Sequence, residues 1–128
     1  MFAVGEVVWA LSDQVEAAGK PYVKPKYHLC VCVTERIYFF INSSDKFADS
    51  FAITHEEFRA LPNPVSFVGC GSTLRIPDAH MVRMKARSLG RLPDETLTRL
   101  MDFVNSAESI VEEEKELIVD ALAGALGY

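Results

Sequence analysis

Apolar and polar positions change rhythm along the chain. Through residue 76 the apolar residues fall in short runs bounded by Gly, Pro, Asn, Asp and Ser, the pattern of strands joined by tight connections. Beyond Pro93 they recur three and four positions apart, the pattern of helices. Val4 to Leu11, opened by Gly5, predicts a first strand. Tyr27 to Val33 and Ile37 to Ile41 are rich in β-branched and aromatic residues and predict a hairpin closed by Thr34, Glu35 and Arg36. Phe51 to Ile53 predicts a short strand and Val65 to Cys70 another, with Leu74 to Ile76 and His80 to Lys85 as further strand material. Pro93 opens a helix with Leu97, Leu100, Met101 and Val104 at helical spacing, and a second helix is predicted from about Ala107 to Leu126.

Between these elements, Ser12 to Lys26 holds Gly19, Pro21 and Pro25 and predicts a loop long enough to suspect a function. Thr54 and Glu57 have the spacing of a capping box, but Pro62 and Pro64 limit any helix from Phe58 to Leu61 to a turn or so. Five or six strands followed by helices give a mainly β fold with C-terminal helices, a small closed or half-closed barrel. The expected organisation is one domain over residues 1–128, with the barrel in 1–86 and a helical part in 87–128.

Composition narrows this picture. A chain of 128 residues supports one core, and at this size folding buries roughly two thirds of the unfolded surface. Thirteen Lys and Arg against eighteen Asp and Glu leave a net charge of −5, which excludes the overall basic field of a generic nucleic-acid binder. The cations are nonetheless clustered: Lys20, Lys24, Lys26 and Arg36 in one segment, and Arg75, Arg83, Lys85, Arg87 and Arg91 in another. Acid concentrates in the tail, from Glu108 to Asp120. No run approaches the ~18 apolar residues of a membrane span and no signal pattern opens the chain, so a cytoplasmic protein without membrane association is expected. Cys30 and Cys32 alternate on one strand, which points both to one side in poor disulfide geometry, and reduced thiols fit that compartment.

Several side chains carry candidate chemistry, each beside a plainer role. Lys24, Lys26 and His28 could line a groove for phosphate, with His28 moving a proton near neutral pH, or form a solvated edge and a packed histidine. Ser43, Ser44 and Asp45 offer hydroxyls and a carboxylate, or ordinary turn chemistry. His28, Cys30 and Cys32 share a face by alternation, but His28 and Cys32 would stand about 13 Å apart along a strand. A zinc ion needs each ligand within about 2.3 Å, so no metal site is expected and the cysteines are assigned to packing. Gly69 and Gly71 either let a ligand approach the strand or mark a barrel corner. Trp9 belongs to the core or stacks on a base. The Glu112 to Glu116 run is a solvated helix face, or pairs with the basic 75–91 segment of a second subunit.

In this order, four segments resemble the MazF/PemK family of toxins from bacterial toxin-antitoxin systems, which are small SH3-like barrels with a C-terminal helix. Gly5-Glu6-Val7-Val8-Trp9 is similar to the family's first strand, and Lys24-Pro25 before Tyr27 to Val33 to its Arg-Pro step. Ser66-Phe67-Val68-Gly69-Cys70 with Leu74-Arg75-Ile76 is similar to its serine-valine strand and following arginine, and Leu89-Gly90-Arg91-Leu92 to the segment opening its last helix. The resemblance spans residues 4 to 104.

It implies a homodimeric, metal-independent endoribonuclease acting on single-stranded RNA, free of cofactors and neutralised by an antitoxin peptide. Carried over residue by residue, the family's catalytic arginine and hydroxyl fall on Lys24 and Ser43 and its later arginine on Arg75; with His28 added from the residues themselves, Lys24, His28 and Ser43 are the catalytic candidates, and Lys26, Ser72, Thr73 and Arg75 the substrate-binding ones. Lys24 and Arg75 would hold phosphate, His28 would move the proton and Ser43 would orient the nucleotide. Two departures stand against catalysis: Lys24 lacks the bidentate fork of the family's arginine, and Gly69 and Gly71 replace the acid-base pair of the PemK branch. The alternative is a non-catalytic module on the same barrel, recognising a peptide or protein partner around Gly69 to Arg75.

Overall fold

The structure, a computed structural model, describes the backbone of residues 1–17 and 20–128 and the side chains of residues 1–13 and 23–128. Seven strands form one antiparallel sheet: β1 (Glu6–Ala17), β2 (Lys20–Cys32), β3 (Ile37–Asn42), β4 (Ser50–Thr54), β5 (Val65–Gly69), β6 (Leu74–Arg75) and β7 (Arg87–Arg91). Three helices join them: α1 (Asp78–Arg83), α2 (Asp94–Ser106) and α3 (Glu112–Ala125). The strand order is β4-β5-β3-β2-β1-β7, with β6 also beside β3, and the sheet curls into a half-barrel. The chain is thus mainly β with C-terminal helices, as the hydrophobic pattern predicts.

Both faces of the sheet are packed. The larger core joins Val7, Leu29, Phe39, Ile53 and Val68 to Leu97 and Leu100 of α2 and Ile118 and Leu122 of α3. These helix positions lie three and four apart, so each helix turns one apolar stripe to the sheet. The smaller core lies on the opposite face, where Ala10, Cys30 and Tyr38 meet Ile76, Met81 and Met84.

Three expectations are corrected here. Ser12 to Lys26 is not a loop: β1 and β2 continue as a ribbon, with Ser12 opposite Lys24 and Leu11 opposite Pro25. Pro25 is tolerated because β3 begins its pairing only at Tyr27, leaving the other edge of β2 open there. Residues 18 and 19, within that expected loop, lie outside the described residues. His80 to Lys85 is not a strand, since α1 covers most of it. Pro77 (φ −61°) sets the helix entry, Asp78 sits in the first turn, and the buried Met81 and Met84 are three apart. Finally, Cys30 and Cys32 do not share a side. A register shift between them places Cys30 in the smaller core and Cys32 in the larger.

The Thr54–Glu57 box closes as predicted, with the Glu57 amide donating to Thr54 Oγ1 at 3.3 Å and the Thr54 amide to Glu57 Oε1 at 3.2 Å. It caps a turn rather than a helix, because Pro62 and Pro64 come soon after. Gly71 marks a corner: a Cβ there would stand 2.7 Å from the backbone oxygen of Ala48. Gly71→Ala should therefore cost about 1–3 kcal/mol in urea unfolding, as overpacking against backbone does. Gly124→Ala, in α3 with nothing near its Cβ, should add up to about 1 kcal/mol. An unchanged midpoint for Gly71→Ala would contradict the close approach.

Candidate functional site at the Lys24 rim

The residues that the sequence singles out separate into three places. Lys24, Lys26 and Ser43 come together, lining with Asn42 and Asn63 a hollow of about 160 Å³ where β3 ends and β2 runs on beside β1. Enclosed small-molecule sites run to about 300–1,000 Å³, so this hollow has room for one group of a larger ligand rather than for a whole metabolite. Lys26 Nζ donates to Asn42 Oδ1 at 2.8 Å and lies 4.7 Å from the centre of the Phe40 ring. Partial burial, and then the neighbouring Lys24 ammonium, hold the Lys26 pKa below the usual lysine range. An anion placed between the two ammonium groups relieves that repulsion. Neither lysine pairs with a carboxylate among the described residues.

Arg75, Thr73 and Ser72 lie at the other end of β3. Arg75 is opposite Ile37, while Lys26 bonds Asn42 about 17 Å away along that strand. Thr73 Oγ1 donates to the Glu114 carboxylate at 2.9 Å, and Arg75 pairs with Glu35 at 3.5 Å and with Glu114 at 3.6 Å. Glu114 thus ties α3 to the basic segment within one chain, and the Arg75 guanidinium is already neutralised. Ser72 is exposed. Gly69 and Gly71 make room for the chain itself. A Cβ at Gly69 would lie 3.1 Å from Asn42 Nδ2, and one at Gly71 would meet Ala48 and the Ser109 hydroxyl.

His28 is sealed inside the sheet. It is 0% exposed, its ring centroid lies 5.1 Å from that of Phe40, and neither ring nitrogen has a hydrogen-bond partner. Burial dominates its titration and pushes the pKa down to about 4. The backbone of Val8 and Lys26 lies near enough to favour the charged ring slightly, but does not meet hydrogen-bond geometry. A sealed neutral imidazole with no path to solvent carries no proton to a substrate. Burial likewise lifts the thiols of Cys30 and Cys70 to about 12, which leaves both protonated and unreactive.

A constellation that sequence reasoning misses joins the far part of β1 to α1. His80 Nε2 lies 2.7 Å from Asp13 Oδ1, and Arg83 Nη2 lies 2.9 Å from His80 Nδ1. A guanidinium has no lone pair to offer, so Nδ1 accepts from Arg83 and the ring proton sits on Nε2, donating to Asp13. Asp13 is next to Ser12, the register partner of Lys24, and Leu11 N donates to Met84 O at the end of α1. Sixty-seven positions separate Asp13 from His80. The one sequence signal is the i, i+3 spacing of His80 and Arg83, legible only once α1 is read as a helix.

No family model, no curated protein and no solved structure matches this chain. No helix among the described residues is long and apolar enough to cross a membrane.

His28 generates a pH dependence with a definite sign. Its folded pKa of about 4 lies below the unfolded value of about 6.5, so the unfolded chain binds the proton more readily. Above about pH 6.5 the ring is neutral in both states and adds no pH dependence, and stability falls as pH drops towards 4, by roughly 3 kcal/mol in all. His28→Leu should remove that slope between pH 6.5 and 4 in urea titrations. A slope of the same size in the variant would assign it elsewhere.

Proposed function

We propose that this chain is an SH3-like barrel of MazF/PemK type that engages single-stranded RNA at the Lys24 rim. The observation that carries the reading is the joining of Lys24, Lys26, Asn42 and Ser43 in one small hollow, where the resemblance expects the phosphate-binding step and the hydroxyl at the end of the next strand. Two ammonium groups with an amide and a hydroxyl suit a backbone phosphate. The half-buried Phe40 beside Lys26 adds an aromatic edge to that rim. With −5 net charge the molecule as a whole repels RNA, so binding depends on this local pair of cations.

The peptide-binding alternative loses its support at Gly69 to Arg75, where the glycines seat the chain's own loop and Arg75 and Thr73 are held by Glu114. In fluorescence anisotropy with a labelled single-stranded RNA panel in EDTA, Lys24→Ala and Lys26→Ala together should weaken binding about tenfold or more. They should also flatten the log-log salt slope by about 0.7 per lost phosphate contact. Arg75→Ala should leave affinity unchanged. Undetectable binding, or binding indifferent to the double substitution, sinks the reading.

A further inference from the structure

We propose that Lys26 is a site of covalent acylation, its amine taking the acyl group from a small acyl phosphate whose phosphate is held by Lys24 and Ser43 in the same hollow. The claim for Lys26 stands without RNA; what acylation does to RNA binding rests on the RNA reading of the rim.

A lysine becomes a nucleophile when its amine is kept neutral and its lone pair is left free, and the hollow meets both conditions. Lys26 is half-buried, so its ammonium has lost part of its water. Lys24 lies two positions away on the same face of β2, about 7 Å along the strand, and its charge opposes a second ammonium. Asn42 Oδ1, at 2.8 Å from Nζ, is an uncharged acceptor. A carboxylate there would hold the proton, whereas an amide oxygen takes one N–H and leaves the lone pair of the neutral amine for a substrate. Gly69 leaves room for that amide: a Cβ at Gly69 would stand 3.1 Å from Asn42 Nδ2. The other lysines with described side chains lack this setting, since Lys115 pairs with Glu112 at 3.8 Å and Lys46 and Lys85 are exposed.

Size and lining select the donor. A hollow of about 160 Å³ admits one small group, and Tyr27 and Ile41 add an apolar wall to the two cations. An acetyl phosphate fits both parts, with its phosphate on the Lys24 ammonium and the Ser43 hydroxyl and its acyl carbon beside Lys26. The neutral amine attacks the carbonyl carbon; the C–N bond forms as the bond from that carbon to the phosphate oxygen breaks. The departing phosphate carries off the proton that nitrogen gives up, and an uncharged amide remains. One of the two cations of the rim is thereby removed.

The test incubates the full chain with acetyl phosphate near neutral pH and follows every lysine by peptide mass spectrometry. Lys26 should be acetylated at least about tenfold faster than Lys46 or Lys85, because a larger share of its amine is neutral. Its rate should rise with pH to a plateau whose midpoint lies below the ordinary lysine value of about 10.4. Asn42→Asp, which sets a carboxylate against Nζ, should raise that midpoint and slow acetylation near neutral pH about tenfold. Lys24→Ala should slow transfer from acetyl phosphate more than from uncharged p-nitrophenyl acetate, since only the first donor also loses the partner of its phosphate. Lys26 acetylated no faster than the exposed lysines, or Lys24→Ala slowing both donors equally, overturns the assignment. The acetylated protein should bind single-stranded RNA about tenfold more weakly than the unmodified protein. If the unmodified protein binds no RNA, the RNA reading falls and the acylation site is decided by its own labelling rates.

Discussion

Strand β2 is covered on both faces between His28 and Cys32. Leu29 and Val31 turn into the core shared with α2 and α3, while Cys30 turns into the core shared with α1, and His28 is closed against Phe40. Water therefore does not reach the centre of the sheet. A polar group placed there loses hydration, which for His28 means a neutral ring and for the thiols an unreactive protonated state. Hydrated polar groups lie instead at the rim, where β2 runs past the end of β3 and keeps its outer edge open.

That confinement explains which charged groups are structural and which are available. At the far end of β3, Arg36 pairs with Asp78 at 3.0 Å and Arg75 with Glu35 and Glu114, so the cations there hold α1 and α3 to the sheet. Arg99, Glu57 and Thr96 join the turn after β4 to α2, and Asp49 with Ser109 ties the β3–β4 connection to the stretch between α2 and α3. Hydrogen bonds from Ser109 hold the Asp49 carboxyl below its usual range. At the near end, Lys24 and Lys26 share a hollow that no carboxylate lines among the described residues. His80, on α1, meets Asp13 and Arg83.

Much of this is legible in the sequence, for identifiable reasons. The period of Leu97, Leu100 and Val104 announces α2, because a helix packed on a sheet needs one wide stripe. The β-branched runs announce the β2–β3 hairpin, and Lys24, Lys26 and Ser43, each a candidate by residue type, stand together in the fold. The misreadings arise where pairing overrides local chemistry. Gly and Pro between Ser12 and Lys26 read as loop, yet a ribbon with one open edge admits proline. A bulge inverts the expected side of Cys32, which alternation alone cannot reveal. His80 is hidden twice, by a six-residue helix too short to show a period and by a partner on β1 that only the fold brings near.

Burial seals His28 from solvent, and histidine imidazole NMR with a 2′-deoxy oligonucleotide tests that seal. The His28 ring should stay neutral down to about pH 4 and be unmoved by the oligonucleotide. A His28 that titrates near the ordinary value of about 6.5, or that moves with the oligonucleotide, would contradict it.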